Sequence, residues 1–296
     1  MAVTVVDSEY RKLTGVLLYK PGPEIDRHGS PQEVLHLGAI THAALSDEFD
    51  RLEKTYEDNG VAALMIDPAP VDEDRRYLFN LMYCRDLFFM TPDGTILSRM
   101  AHPVRRGEVQ YAERRLRKQG VPIRYAVSGE GTFEGADALW IDERLVAVGV
   151  GNRTNRDGFE QVRAELGRSG VQCVAFPSEQ AVTQHLLGAV QIVDRDLAFV
   201  RRQIVDGEVA RFFSGRGFRI VDIPESDEVR LRQAMNIVVA APRVIVMAAG
   251  CPETKKLFLR AGVTVAAEVP IDQLTRGGGG IACATGIISR NLVTIE

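Results

Sequence analysis

The sequence is poor in cysteine, and the cysteines it has stand far apart. Cys84, Cys173, Cys251 and Cys283 form no Cys-x-x-Cys pair and have no histidine at metal-ligand spacing. Small secreted domains and zinc ribbons depend on closely spaced cysteines, so this pattern argues against a disulfide framework and against a structural metal. We therefore expect free thiols and a reducing, cytoplasmic compartment.

An excess of positive charge is also missing. The chain has 36 lysines and arginines against 40 aspartates and glutamates, a net charge of −4 and a pI near 5.8. Proteins that bind nucleic acid or anionic membranes usually have the opposite balance. The most apolar window, Ile237 to Cys251, is interrupted by Pro242-Arg243 and is too short to span a bilayer. The first seven residues lack the cationic and apolar parts of a signal peptide. We expect neither nucleic acid nor a membrane as a partner.

Phosphate-binding signatures are absent as well. The sequence contains no Gly-Lys-Ser/Thr, and Gly149-Val150-Gly151 supplies only two glycines of a dinucleotide fingerprint, because the third position is Thr154. We predict no metal and no organic cofactor.

What is present is the composition of an ordinary globular domain. Hydrophobic residues make up 45% of the 296 residues and charged residues 26%, with a mean hydropathy of −0.06. Because no Ser/Gly-rich linker divides the chain, we predict one catalytic domain over residues 1–296. The main irregular segment, Lys20 to Ser46, is rich in proline, glycine and histidine, and a loop of this length often acts as a lid or flap.

Amphipathic helices closed by glycine recur along the chain. In the first, Phe49, Leu52 and Tyr56 lie at i, i+3 and i+7, and Gly60 follows four residues later. Such spacing predicts one apolar helix face that ends in a left-handed glycine cap. Comparable helices lead to glycines at Gly120, Gly170, Gly217 and Gly262. The chain therefore contains five repeats of about one supersecondary motif each.

Strands and hairpins complete each repeat. The strands predicted after the glycines are Val61–Ile66, Val121–Val127, Val171–Phe176, Phe218–Ile223 and Val263–Val269. The predicted hairpins pair Leu81–Met90 with Thr95–Met100, Ala138–Ile141 with Leu145–Val150, Gly188–Val193 with Leu197–Val200, and Ile237–Ala241 with Val244–Ala248. A doubly wound parallel sheet would have one strand per helix, whereas four repeats here have a hairpin before the helix. We therefore predict an α/β fold of five ββαβ units, closed in a ring around a central pocket.

Four chemically active residues stand at comparable places in different repeats. Asp86, Glu134 and His185 lie in or just before predicted hairpins, and Cys283 follows the run Gly277–Gly280 at the start of the last strand. Taken singly, each has a structural interpretation: a buried ion pair, a hydrogen-bonded histidine, or an inert cysteine behind a glycine hinge. In a ring, all four would meet in the central pocket. A thiol, an imidazole and two carboxylates supply a nucleophile, a base, a group that orients the base, and an anionic site for a cation.

These residues are also where the chain resembles the guanidino-group-modifying enzymes of the pentein superfamily, whose fold is a five-bladed α/β propeller. The segment Asn80-Leu81-Met82-Tyr83-Cys84-Arg85-Asp86 is similar to an Asn-Leu-x-x-x-Arg-Asp segment of arginine deiminases. Glu134-Gly135-Ala136-Asp137 is similar to the acidic-Gly-Gly-Asp motif, while the segments around Arg105 and Arg153 look like those of dimethylarginine dimethylaminohydrolases.

The resemblance implies a role for each matched residue. Cys283 would be the nucleophile, His185 the acid and base, and Glu134 its support. Asp86 would bind the guanidinium and Asn80 the amino-acid end of the substrate, while Arg105 and Arg153 would clamp a carboxylate, a task suited to the guanidinium fork. Leu187 replaces the aspartate that deiminases and amidinotransferases usually have two residues after the histidine.

Three functions follow as hypotheses. The first is a hydrolase that cleaves a C–N bond of arginine or an N-substituted arginine through a cysteine thiouronium, releasing an amine or ammonia and a ureido product such as citrulline. The second is an amidinotransferase, in which an amine acceptor replaces water. The third is a propeller that binds a guanidine without turning it over. The predicted partner is a small cationic guanidino compound, and a homo-oligomer is compatible with the sequence.

Overall fold

The computed structural model describes residues 6–27, 29–67, 78–178 and 183–291. Within these ranges the strands are β1 Leu13–Leu18, β2 Ala62–Met65, β3 Phe88–Thr91, β4 Gly94–Leu97, β5 Ile123–Ala126, β6 Ala138–Asp142, β7 Leu145–Gly151, β8 Gln172–Ser178, β9 Val190–Asp194, β10 Leu197–Val200, β11 Arg219–Asp222, β12 Val238–Ala241, β13 Val244–Ala248, β14 Thr264–Val269 and β15 Gly286–Arg290. The α-helices are α1 His42–Asp58, α2 Val109–Lys118, α3 Arg156–Gly167, α4 Gly207–Gly215, α5 Asp227–Arg230, α6 Pro252–Arg260, α7 Asp272–Arg276 and α8 Ile281–Ala284.

These strands form five three-stranded sheets of one design. Four sheets follow the order of the chain, namely β3-β4-β5, β6-β7-β8, β9-β10-β11 and β12-β13-β14. In each of them the first two strands are an antiparallel hairpin, and a helix leads to a third strand parallel to the second. The repeated ββαβ unit predicted from the sequence is therefore confirmed.

The remaining sheet is built from both ends of the described chain. Its order is β15-β1-β2, with β1 antiparallel to β15 and parallel to β2. The repeat without a hairpin of its own thus takes its outer strand from residues 286–290. Strand β15 also contacts β3, and β1 contacts β12, so this sheet borders both the second and the fifth sheets.

The helix pattern seen in the sequence places its residues as expected. Phe49, Leu52 and Tyr56 on α1 are buried, and Gly60 just after it has a φ of 71°. The corresponding glycines after α2, α3, α4 and α6 have φ values of 79°, 73°, 82° and 84°. These are left-handed conformations in which glycine costs least, which explains why the same residue ends each of these helices.

Two predicted strand boundaries are wrong. The first strand of the Leu81–Met90 hairpin begins only at Phe88, because Cys84–Asp86 forms a 3₁₀ turn closed by the bond from the Asp86 N–H to the Tyr83 carbonyl (3.2 Å). Cys283 does not start the last strand; it lies in the short helix α8, directly before β15. In both places a local turn aims a polar side chain that an extended strand would have pointed elsewhere.

The segment Lys20 to Ser46 is less irregular than predicted. It contains 3₁₀ turns at Pro23–Arg27 and Pro31–Val34, and α1 already begins at His42. His36 in this segment is buried, and its ring lies edge-on to Phe79. Whether residues 20–46 form a lid, and whether the chain is a single domain, stay predictions.

Apolar side chains from every sheet form one buried cluster that includes Phe49, Phe133, Trp140, Phe199 and Phe258. All four cysteines are free, as expected. Among the described residues, no helix is both long and apolar enough to cross a membrane.

Candidate active site

A cavity of about 480 Å³ collects the predicted site residues. Its lining includes Asn80, Asp86, Arg105, Arg153, His185 and Cys283, which come from four of the five repeats. Glu134 lies directly behind His185 and is fully buried. The structure therefore brings all seven residues to one place. Five of them lie in turns or short helices before strands, whereas Arg105 and Arg153 follow β4 and β7 and precede helices α2 and α3.

His185 is held by a buried carboxylate. Its Nε2 lies 2.7 Å from Oε2 of Glu134, while its Nδ1 lies 3.8 Å from Oδ1 of Asp86. The other Glu134 oxygen accepts the Ala101 N–H at 3.1 Å and lies 3.6 Å from Nη1 of Arg153. Because Glu134 has partners on both oxygens, it fixes the ring with Nδ1 directed toward Asp86.

The charges around His185 favour the imidazolium. Burial alone lowers the pKa of His185, but the charge of Asp86 and the hydrogen bond with Glu134 outweigh burial and raise this pKa to about 9. Burial also opposes ionisation of Glu134, yet His185 and Arg105 hold the pKa of Glu134 below its ordinary value. Near neutral pH His185 is therefore an imidazolium paired with the Glu134 carboxylate, and this imidazolium can act as a proton donor.

Asp86 presents one oxygen to the cavity. Its Oδ2 accepts a bond from Nη1 of Arg105 at 2.6 Å. Its Oδ1 is buried and has no hydrogen-bond partner among the described residues, although it lies near His185. An unmatched buried carboxylate oxygen costs free energy, and a cationic N–H donor in the cavity would remove that cost.

Arg105 is itself enclosed by acceptors. Its Nε donates to Glu108 at 2.9 Å, and its Nη2 reaches both Glu108 and the Asn80 carbonyl, at 2.9 and 3.3 Å. Burial raises the pKa of Glu108 to about 7 even though Arg105 lowers it. A substrate carboxylate would reach Arg105 only by displacing one of these acceptors. The sequence-based role of Arg105 as a carboxylate clamp stays a prediction.

Cys283 is partly exposed in the cavity and is paired with a residue that the sequence analysis did not single out. Asn236 Nδ2 lies 3.0 Å from Cys283 Sγ, and Asn236 Oδ1 accepts the Cys283 backbone N–H at 3.0 Å. Burial raises the pKa of the Cys283 thiol to about 11, and the charge of Asp86 adds to this shift. The placement rule that selected Asp86, Glu134 and His185 could have found Asn236, which stands just before β12 in the fifth repeat.

The cavity mouth is polar and cationic. The Arg153 side chain is 15% exposed and donates to Gln184, while Arg201 is held by two bonds to Glu225. Leu35 and Leu37 from the predicted flap line the opening. Asn80 also lines the cavity, but its side-chain amide donates to the Val34 carbonyl at 2.8 Å.

Asp86, Glu134 and His185 also offer ligand atoms within 4.8 Å of one another, which is the spacing of a metal site. The guanidinium of Arg105 stands among them, 2.6 Å from Asp86 and 3.7 Å from Glu134. Its fixed positive charge already neutralises these acids, so the cluster suits an organic cation and a proton better than a divalent ion.

Two curated relatives match most of the chain. The uncharacterized protein YkgA of Bacillus subtilis (strain 168) is 23% identical over 284 residues, which cover 95% of this chain and 94% of YkgA. An arginine deiminase of Borreliella burgdorferi (strain ZS7) is 24% identical over 265 residues, covering 76% of this chain and 62% of the deiminase. The match therefore spans less than two thirds of the deiminase.

Solved structures show the same fold. A dimethylarginine dimethylaminohydrolase from Pseudomonas aeruginosa, complexed as a mutant with citrulline, superposes with a TM-score of 0.76 at 20% identity, covering 93% of this chain and 99% of that one. SxtG, an amidinotransferase from Microseira wollei in the saxitoxin biosynthetic pathway, gives a TM-score of 0.80 at 13% identity, covering 100% and 99%.

The match to a protein family includes Cys283, the nucleophile expected from the sequence. The model for the eukaryotic N,N-dimethylarginine dimethylhydrolases matches residues 33–290, well over half of the sequence. The resemblance inferred from the motifs is thereby confirmed: the chain belongs to this family of pentein-type guanidino-modifying enzymes.

Proposed function

We propose that this protein hydrolyses a C–N bond in the guanidino group of arginine or of an N-substituted arginine-like amino acid. One observation carries the proposal: a buried carboxylate oxygen of Asp86, unpartnered among the described residues, lies in the same cavity as an imidazolium and a thiol. A guanidinium supplies the N–H donors and the charge that this oxygen lacks. The family match and the similarity to an arginine deiminase support the same class of reaction.

The proposed substrate lies with its guanidinium against Asp86 and its carboxylate toward the mouth. Arg153 is the better candidate for the carboxylate, because it is partly exposed at the rim whereas Arg105 is enclosed. Asn80 and Arg105 complete the set that the family resemblance assigns to substrate binding. Leu187 lines the cavity where relatives have an acid, so this wall offers apolar contact to an N-substituent.

When the substrate binds, the Cys283 thiol gives its proton to solvent, and in the first step the resulting thiolate forms a bond to the guanidinium carbon. The C–N bond to the departing nitrogen breaks, and His185 gives that nitrogen its proton, so that an amine or ammonia leaves and a thiouronium remains. Glu134 stabilises the imidazolium before the transfer and keeps the ring oriented. The substrate's positive charge also lowers the cost of ionising a thiol whose pKa is raised by burial and by Asp86.

In the second step His185, now neutral, takes a proton from water. The resulting hydroxide adds to the thiouronium carbon. The S–C bond then breaks, the sulfur leaves as a thiolate, and the hydroxyl proton goes to solvent, from which the thiolate regains a proton. The product is a ureido compound, which is citrulline when the substrate is arginine or a methylated arginine. Each step uses a residue that already lines or supports the cavity.

We also propose that the five sheets close into a five-bladed propeller with this cavity on its pseudo-axis. The contacts of the first sheet with both the second and the fifth support this closure. So does the origin of the cavity residues, which come from successive repeats.

Amidino transfer is the second candidate function. The observation in its favour is the TM-score of 0.80 to an amidinotransferase over nearly the full length of both chains. Both reactions share the first covalent step and differ only in whether water or an amine attacks the thiouronium.

The test is incubation with arginine, its N-methylated forms and other guanidino acids, with and without amine acceptors. We expect a ureido product, and a mass adduct confined to the peptide containing Cys283. Cys283→Ser should abolish turnover and leave the melting temperature unchanged. Ureido product from Cys283→Ser would overturn the covalent mechanism, and a guanidinylated amine as the main product would favour the transferase. Tight binding with no turnover and an unreactive thiol would leave only a binding protein.

A further inference from the structure

We infer that Asn236 is a catalytic residue that stabilises the Cys283 thiolate through its side-chain N–H. The amide touches the reacting sulfur directly, with Nδ2 3.0 Å from Sγ. The structure fixes which atom of the amide faces sulfur and gives this contact an electrostatic role. It also explains why glycines lie next to the contact. The catalytic meaning rests on the proposed function, whereas the effect on the thiol does not.

The orientation of the amide follows from its second bond. A backbone N–H can only donate, so the group that faces the Cys283 N–H at 3.0 Å must be the amide oxygen of Asn236. The NH₂ group is then the one that faces sulfur. Asn236 is 4% exposed and lies in the cavity wall, so water competes weakly for this donor.

The Cys283 thiolate is stabilised by a neutral hydrogen-bond donor. Burial and the charge of Asp86 raise the pKa of Cys283, while a backbone hydrogen bond at Gly280, the Asn236 hydrogen bond and, more weakly, Arg105 lower it. The other titratable groups that line the same cavity are His185, Tyr83, Arg153, Arg201 and Arg230. A hydrogen bond to the charged form favours that form, so the amide opposes the penalty that burial imposes on the thiolate. The same contact assists sulfur when it leaves as a thiolate in the second step.

The glycine run keeps this amide in place. A Cβ on Gly280 would lie 2.8 Å from the Cβ, Cγ and Oδ1 atoms of Asn236, too close for any side chain. A Cβ on Gly277 or Gly279 would meet the Tyr83 ring or hydroxyl at 2.4 Å or less. The run therefore lets two neutral side chains pack on the backbone that leads to Cys283.

The experiment measures the ionisation of Cys283 without substrate. The rate of iodoacetamide alkylation is followed from pH 6 to 10.5, below the thiol pKa, where the rate is proportional to the thiolate fraction and so reports a shift of that pKa. It is read by mass spectrometry on the peptide containing Cys283, because three other thiols are present. We expect Asn236→Ala to raise the apparent pKa of Cys283 by about one unit, which slows alkylation about tenfold below that pKa. Asn236→Asp, which also adds a negative charge, should raise it further.

Gly280→Ala is the second variant, since it leaves Asn236 in the chain but displaces its amide, and we expect a shift in the same direction. Gly215→Ala is the matched control, because a Cβ there meets nothing within 4 Å. An unchanged thiol pKa in folded Asn236→Ala or Gly280→Ala would overturn the inference and leave Asn236 a structural anchor. A raised thiol pKa in an enzyme that turns over no guanidine would confirm the inference and count against the proposed function alone.

Discussion

The two walls of the cavity differ in charge. The wall from the second to the fourth repeats contains ionised groups in contact with one another, namely Asp86, Arg105, Glu108, Glu134 and His185. The wall that holds the nucleophile is made of neutral groups: Asn236, Tyr83 and a run of glycines. In the proposed function the first wall binds a cation and moves a proton, whereas the second positions a sulfur atom.

This difference in charge explains how the Cys283 thiol can stay neutral until a substrate binds. Asp86 must be anionic to bind a guanidinium, and that charge opposes ionisation of Cys283. Bound substrate cancels the opposition, because its positive charge lies between the two groups. A neutral dipole beside the sulfur is then sufficient to stabilise the thiolate, and no permanent cation is needed there. The predictions below test this division, beginning with the largest effect.

Asp86→Asn should separate two effects of the Asp86 charge: binding of the guanidinium and opposition to ionisation of Cys283. Losing a buried charge partner costs about 4 kcal/mol, so kcat/KM should fall by about 10³-fold. At the same time the apparent pKa of Cys283 should decrease, since the negative charge that raises it is gone. Steady-state kinetics and the alkylation profile measure the two effects. Asp47→Asn, on the exposed side of α1, is the control, and an unchanged thiol pKa would show that the walls are not electrostatically linked.

Stability should depend on pH through His185. Its folded pKa, about 9, lies above the unfolded value of 6.5, so the imidazolium stabilises the fold fully below pH 6.5 and this contribution is lost as the pH rises through 9. The change is on the order of 3 kcal/mol. Asp137 and Glu108, with pKa values raised by burial to about 6 and about 7, act mainly at lower pH. Burial also raises the pKa values of the Cys84, Cys173, Cys251 and Cys283 thiols, so these groups add a further loss of stability near and above pH 9 in the wild type and the variant alike. Urea unfolding at pH 7 and 8.5 should therefore show a larger loss of stability in the wild type than in His185→Asn; equal losses would contradict the assignment.

Glu134→Gln should weaken the proton donor without removing it. Losing the carboxylate lowers the pKa of His185, because the hydrogen bond and the charge of Glu134 help to raise it. We expect kcat to fall by about 10²-fold and the limb of the pH–rate profile that reports the imidazolium to move to lower pH. Glu130→Gln, exposed in the same loop, should change neither. A lower kcat with an unmoved profile would make Glu134 a purely structural support.

Tyr83→Phe should have the smallest effect, because the neutral wall positions the sulfur by packing and carries no charge. The change removes one hydrogen bond, from the Tyr83 hydroxyl to the Leu274 carbonyl at 2.9 Å, worth about 1 kcal/mol. We expect a melting temperature lower by about 2 °C and kcat/KM within about threefold of the wild type. A shifted pKa of either Cys283 or His185 would show that the neutral wall has an electrostatic role beyond Asn236.

The sequence was most informative where a pattern is local. Glycine caps and hairpin turns depend on a few neighbouring residues, so the repeats and turns such as Pro92-Asp93 could be predicted. The pairing of β1 with β15 could not, because it joins residues 269 to 277 positions apart and no turn connects the two strands. Within the site, the ionisable residues stood out by type. Asn236 stands at a comparable place, just before β12, but as a neutral amide it did not stand out by type, and its contact with sulfur is seen only in the structure.

The pairing of β15 with β1 also has a consequence for folding. Among the described strands, β15 is made after all the others, whereas its partner β1 is made before them. The sheet next to Cys283 can therefore be completed only after the other four sheets have been synthesised. Truncation before residue 286 would keep Cys283 and remove the strand that follows it, so we expect such a chain to lose the placement of the thiol.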